Sequence, residues 1–301
     1  MKVVYTFIIS ILLFGCSSTL VITNDLKKLK LKGNVKRLIS KERKKNDTVY
    51  LLNKIYVFNK KGNTTTENYF KNDTVSISKP STKTIYTYTK FGKRKVKKQY
   101  ESNGDLYREE NYKYNSKKKL IRKSRFDGNG DPLFVWLHTY NNKKERTETT
   151  VRDVSYGGST LDKSTFKYNN KGNRIKTENY DNNGELHSIY SYKFKNNNLT
   201  KAKLIFFING IITTKINSYD IKGNKIDSKL YDKNNHLATV FNTIYDENNN
   251  PIETLYIKNN LEEKTTFKYQ YDLYNNWTYQ EVRVNDKLKI IRLRDIEYFT
   301  K

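Results

Sequence analysis

Three histidines, His138, His187 and His236, recur at a constant spacing of 49 residues, which at first suggests a shared metal site. Their local settings differ. His138 ends the apolar run LFVWLH, His187 follows a turn leucine, and His236 sits inside a turn, so equal spacing does not bring them together and no metal is expected. Glu109 and Glu110 are the other tempting pair. Adjacent residues on a strand point to opposite faces, so the two cannot act as acid and base across one bond. Asp127, Asp181, Asp220, Asp232, Asp246 and Asp272 each stand in a turn bearing neutral Asn or Gly with at most one other carboxylate, which fits side-chain capping of the turn better than a calcium loop with its several carboxylates. No GxSxG, HExxH or P-loop spacing occurs. Neither catalysis nor a cofactor is expected.

The one group with distinctive chemistry is Cys16, the only cysteine of the chain. It closes the opening MKVVYTFIISILLFGC, a short basic start followed by an apolar run too short for a membrane span, which needs about twenty residues. Gly15 directly before Cys16 makes a lipobox-like ending. Residues 1–15 are therefore expected to be a lipoprotein signal peptide, with Cys16 carrying the acyl chains, palmitate among them, that anchor the protein to the membrane. The alternative is a free thiol beside an ordinary cleavage site. Ser17 and Ser18 favour the outer membrane, and the lack of an acidic cluster after them favours its periplasmic face over the cell surface.

The elements that follow must form without disulfides. The stretch KYNNKGNRIKTENYDNNGEL (167–186) carries two Asn/Gly turns, each preceded by an aromatic residue and followed by alternating apolar and polar residues, which reads as strand, turn, strand, turn. The aromatic before the first turn recurs as Phe58, Tyr88, Tyr114, Tyr140, Tyr168, Phe194, Tyr219, Tyr245 and Tyr271, most often 26 residues apart. A second aromatic lies about twelve residues on, an even offset that lets both face one side of a sheet. The expected fold is all-β: about nine tandem antiparallel hairpin repeats forming a long, twisted and curled meander sheet or an open barrel-like spiral. Gly62, Gly172 and Gly223 are expected to hold the positive φ of equivalent turns. Residues 16–30 read as lipidated cysteine and tether, and residues 31–301 as one repeat domain. Trp136, in an apolar run, is expected in the core. Trp277 follows a turn where other copies have Arg174, Lys225 or Pro251, and reads as a cap on the last repeat or an exposed ligand-stacking aromatic.

The copies SYDIKGNKIDSKLYDKNNHL and IYDENNNPIETLYIKNN resemble the YD, or RHS-like, repeats of bacterial envelope proteins. The end YQYDLYNNWTYQEVRVNDKLKIIRLRDIEYFTK is similar to the closing segment of small repeat lipoproteins common in Bacteroidota, and LKLKGNVKRLISKER resembles their first segment. This resemblance implies the repeat architecture and an envelope address, and no activity. Its association with toxin systems suggests an immunity or antitoxin-like role as an alternative.

The formal net charge is +27. It fits a polyanionic partner such as lipopolysaccharide, an anionic membrane or an acidic glycan, or lysines scattered on solvated faces as an AT-rich genome would encode. Nucleic acid is disfavoured because the basic residues gather on no single recognition element. The expected function is a non-enzymatic, envelope-anchored lipoprotein whose β-repeat surface binds or scaffolds a protein, glycan or anionic envelope partner. A glycan-active enzyme is the weakest alternative.

Overall fold

A computed structural model describes residues 24–300 except 75–78, 156, 209 and 210. Cys16 and the signal-peptide reading lie outside the described residues. A one-turn helix, α1 (Asp25–Lys28), precedes twenty strands: β1 (Val35–Lys44), β2 (Leu51–Phe58), β3 (Thr64–Thr74), β4 (Thr82–Tyr88), β5 (Arg94–Glu101), β6 (Leu106–Tyr114), β7 (Leu120–Asp127), β8 (Pro132–Tyr140), β9 (Arg146–Asp153), β10 (Ser159–Tyr168), β11 (Arg174–Tyr180), β12 (Leu186–Lys195), β13 (Asn198–Ile208), β14 (Ile211–Tyr219), β15 (Lys225–Tyr231), β16 (Leu237–Tyr245), β17 (Pro251–Lys258), β18 (Leu261–Tyr271), β19 (Trp277–Val284) and β20 (Lys287–Tyr298). Each strand pairs antiparallel with the next in sequence. The chemistry of the turns explains why. In the connection between β14 and β15, the Gly223 N–H donates to the Asp220 carbonyl and the Asp220 N–H to the Asn224 carbonyl, a type I turn completed by a left-handed residue, Gly223 at φ +84. The Asp220 carboxylate accepts the N–H groups of Lys222 and Asn224, which is the Asx capping the sequence suggests. Gly62 and Gly172 hold φ +74 and +76 at the matching places. The shortest turns, at Asn196–Asn197, Asn259–Asn260 and Asn285–Asp286, have two positive-φ residues each, the mirror-image turn that suits strand twist.

The open curled sheet or spiral expected from the sequence is not what forms. β20 pairs back onto β1 from Lys44↔Ile290 to Val35↔Tyr298, so the sheet closes into a twenty-stranded up-and-down barrel. Closure removes the two free edges that a spiral of hairpins would leave exposed. At about 4.8 Å between strands, the circumference corresponds to a width of roughly 30 Å, and the tilt of barrel strands widens it further. A wall of that size encloses a lumen that its own side chains do not fill.

Residues 24–34 show which face is inside. They run across one mouth of the barrel, where Leu26 N–H donates to the Gly62 carbonyl. The Tyr88 hydroxyl donates to Asp25 Oδ2 over 3.0 Å, and Lys30 Nζ donates to the Asn249 carbonyl over 2.7 Å. Around the wall through β1, the connections β4–β5 and β16–β17 lie eight strand spacings apart, about 38 Å. Asp25 and Lys30 are five residues apart and Asp25–Lys28 is helical, so their Cα atoms are at most about 12 Å apart, and the Tyr88, Asp25 and Lys30 side chains with their two hydrogen bonds bring the whole bridge to roughly 34 Å. So short a bridge can follow only a chord on the concave side, which places the rim aromatics on the inner face. The best-buried apolar cluster lies under this strap: Leu26, Leu31, Val35, Leu38 and Phe58, with Tyr56, Ile296 and Tyr298 against them.

The opposite face carries cross-strand ion pairs in mid-sheet: Lys98–Glu109 at 3.2 Å, Lys163–Glu148 at 3.0 Å, Lys264–Glu253 at 2.8 Å and Lys41–Asp295 at 2.7 Å. Charges at mid-wall are costly against lipid. The outer face is built for water.

Candidate functional site

The inner wall is the candidate site, and strand parity builds it. An aromatic at or next to the end of each even-numbered strand points inward at the same mouth, and where it is Tyr88, Tyr114, Tyr140, Tyr168 or Tyr245 its hydroxyl ties one hairpin to the preceding one; Phe58 and Phe194 have no hydroxyl to do so. The hydroxyls of Tyr114, Tyr140 and Tyr245 donate to the carbonyls of Arg94, Leu120 and Lys225, at 2.8, 2.8 and 3.0 Å. Tyr271 and Tyr298 instead donate to the turn carboxylates of Asp246 and Asp272, and burial together with those carboxylates raises both phenols above their ordinary range. The Tyr and Asp of neighbouring repeats thus lock together at one rim.

Between these rings stand cations. Arg94 lies 4.2 Å from the centroid of Tyr86, Arg174 5.2 Å from Phe166, and Arg294 3.6 Å from Trp277. Burial pushes the Arg294 guanidinium down to about 10. Trp277 is half-buried on this wall, with Tyr269 at 6.2 Å between ring centroids. Trp136 does not sit in an apolar core; it is half-buried, and Lys123 Nζ stands 3.4 Å and the Arg125 guanidinium 4.9 Å from its centroid. The reason is that its neighbours on β7 on this face are basic, so the indole packs as a cation–π partner.

Glu110 is the hub of this region. On β6 it faces inward, and it is 5% exposed. Its Oε1 lies 2.8 Å from Arg125 Nη2 and 3.6 Å from Lys123 Nζ, and its Oε2 accepts from the Tyr112 hydroxyl at 2.8 Å. Burial by itself would raise its carboxyl, but Lys123, Tyr112 and Arg125 outweigh that and hold it at about 2. Burial lowers the ammonium groups of Lys97 and Lys123 in turn. A second acid, Glu67, accepts from the Tyr86 hydroxyl at 3.0 Å and pairs with Lys54 at 3.1 Å. The sequence reading saw that Glu109 and Glu110 point apart; it missed Glu110 as the ion-pair centre. The available signal was the inward row Glu110, Tyr112, Tyr114 set against Lys123 and Arg125 on the next strand.

His138 lies on the same wall with its Nδ1 2.9 Å from Thr149 Oγ1. Burial, then Arg146 and Lys123, push its imidazole down to about 4. His187 is on β12 and His236 in the exposed turn 232–236, so the three histidines do not meet. Among the described residues no three His, Cys, Asp or Glu side chains are placed to share a metal ion. The wall offers stacked cations, phenol hydroxyls and aromatic faces around a hollow, a surface for holding anionic or sugar-like groups.

No protein-family model and no characterised protein matches the sequence. Among solved structures, a porin-like protein from Bacteroides uniformis is similar at a TM-score of 0.39 and 14% identity, over 88% of this chain and 98% of that one. The TcdB2-TccC3-TEV structure is similar at a TM-score of 0.38 and 12% identity, over 84% of this chain but only 14% of that one. The closed architecture itself rests on the strand pairing described above.

Proposed function

We propose that the protein is a non-enzymatic envelope lipoprotein, held to the outer membrane through Cys16, whose barrel binds an anionic or glycan-like ligand, or a protein segment bearing such groups, on its inner wall. The observation that carries this reading is the lumen wall of guanidinium and ammonium groups stacked on aromatic rings inside a water-facing barrel. Cations on aromatic faces and free ring surfaces recognise sugars and acidic groups through stacking and charge together. The non-enzymatic part is supported by three inward acids, Glu110, Glu67 and Glu42, being committed to Arg125, Lys123, Lys54 and Arg292. The anchoring part is supported by the sequence at Gly15–Cys16 and by an outer face that lipid would not solvate.

The test is capture from detergent-solubilised envelope with the intact protein as bait, beside Trp277→Ala and Arg174→Ala. Retention of a glycan, lipopolysaccharide or protein that both substitutions weaken supports inner-wall binding. Capture unaffected by either, or hydrolysis of an offered glycan, refutes it.

A further inference from the structure

Because every strand reverses direction, the connections of the barrel fall alternately at its two mouths. The mouth crossed by residues 24–34 holds that segment and the connections β2–β3, β4–β5, β6–β7 and onward through β18–β19. Those segments carry fifteen lysines against six acids, whereas the connections at the other mouth carry three lysines against seven acids. The connections at the two rims therefore differ in the sign of their charge. Within the basic rim the cations are not spread evenly. The four neighbouring turns 59–63, 89–93, 115–119 and 141–145 hold nine lysines and one acid, Glu145, and Lys27 and Lys28 of α1 stand exposed on the strap at the same mouth.

Two of these lysines occupy positions that suit other residues. Lys118 and Lys144 have φ +57 and +65, at the turn position held by Gly172, Gly223, Asn249 and Asn275 in other hairpins. A lysine there is strained relative to Gly or Asn. Two adjacent hairpins accept that strain and gain a charge at the rim. On the far side of the same rim, the turn tips Ile221 and Leu273 are 85% and 101% exposed, the two most exposed large apolar residues among those described. A free polyanion has no use for bare aliphatic tips. A bilayer surface takes both, with phosphates against the lysines and the interfacial region for Ile221 and Leu273.

The position of the tether points the same way. Asn24 is fixed to this rim, its Nδ2 donating to the Lys61 carbonyl over 3.3 Å, and Cys16 precedes it by eight residues, a reach of at most about 28 Å. We infer that the lysine-rich rim is a docking surface for an anionic phospholipid bilayer, so that the barrel stands mouth-down on the membrane with its acidic mouth directed away from it. This deepens the anchoring part of the function proposed above and rests on it only for the tether. The docking surface also predicts binding without it.

The experiment uses the full-length protein with single fluorophore positions at Ser116→Cys, in the β6–β7 turn of the basic rim, and at Ser102→Cys, at the opposite end of β6. The probes are phosphatidylcholine vesicles and vesicles containing phosphatidylglycerol, each with a lipid-borne quencher. On anionic vesicles, quenching at position 116 should be several-fold stronger than at 102. The difference should be lost with Lys117→Glu together with Lys143→Glu, and reduced at about 0.5 M salt, where screening acts within about 4 Å. An unchanged thermal midpoint shows that the charge-reversed variant is folded. Equal quenching at the two positions on anionic vesicles, or a difference that survives charge reversal, overturns the docking surface. Failure to associate with neutral vesicles counts against the lipid anchor alone, because the anionic arm still reads the rim.

Discussion

Replacing Glu110 with Gln removes the charge at the centre of the inner wall while keeping the side chain's volume. The carboxyl titrates at about 2 against an ordinary 4.5, a difference worth about 3 kcal/mol of preferential stabilisation of the charged form. Part of that is offset, because Lys97 and Lys123 are held below their ordinary values by burial and are partly relieved if the site relaxes. A loss of about 2 kcal/mol is expected, since the variant leaves Arg125 and Lys123 facing an uncharged amide in a half-buried site. For a barrel of this length the entropy of unfolding is about 0.6 kcal/mol per kelvin, so the melting temperature should fall by about 3–4 °C at pH 7. The pH dependence is the sharper test. A carboxyl with a depressed native pKa stabilises the fold fully above its unfolded value and ceases to do so as pH falls toward the native one. The gap between wild type and Glu110→Gln should therefore be constant from about pH 6 upward and close between about pH 4.5 and 2. Thermal unfolding followed by circular dichroism across that range measures it. A gap under about 0.5 kcal/mol at pH 7, or one that widens in acid, would refute the ion-pair hub.

Gly223→Val should cost about 1–3 kcal/mol from backbone strain alone, since a Cβ there meets nothing within 4 Å, while Gly223→Asn should be nearly neutral because Asn249 holds φ +64 at the matching place; chemical denaturation of the two variants separates these outcomes. In a closed barrel, hydrogen exchange in Gly223→Val should rise around much of the wall, whereas acceleration confined to β14 and β15 would mean that the hairpins open independently. Gly62→Ala should loosen the strap as well as the turn, because its Cβ would lie 2.4 Å from Asn24 Nδ2 and 2.9 Å from Leu26 Cδ1; limited proteolysis within residues 24–34 should speed up, and an unchanged pattern would contradict the packing of the strap. Metabolic labelling with a fatty-acid analogue should mark the wild type and not Cys16→Ser, and persistent labelling of the variant would remove the lipid anchor.

Strands, turns and their spacing were legible because each is decided within a few residues. Alternation fixes the strands, and Asp or Asn followed three residues later by Gly fixes the type I turn with its left-handed residue. Closure was not legible, because it depends on the pairing of β1 with β20, partners separated by nearly the whole chain, and local hairpins read the same in a spiral and in a barrel. Trp136 shows the same limit at one residue. An indole in LFVWLH reads as core, yet its surroundings come from the preceding strand, where Lys123 and Arg125 face it. Parity told that Glu109 and Glu110 part company; only the strap across the concave side told which of them turns into the lumen.

The charge was legible in a way that its total concealed. Taken as +27 over the whole chain, the lysines look scattered. Sorted by turn, they are not: four successive turns after even-numbered strands read NKKGN, TKFGK, NSKKK and NNKKE, while three after odd-numbered strands read SNGD, GNGD and DNNGE. Any antiparallel meander, open or closed, sends these two sets to opposite ends, so the polarity follows from counting alternate turns. What closure adds is geometry. It bends the lysine-bearing turns into an arc of one mouth, and Asn24 and Leu26 join the wall at the β2–β3 turn of that arc. On the proposed anchoring and docking, the basic mouth faces the membrane and the mouth with the acidic connections faces away from it, and that orientation would decide from which side the proposed ligand reaches Arg94, Arg174, Trp136 and Trp277.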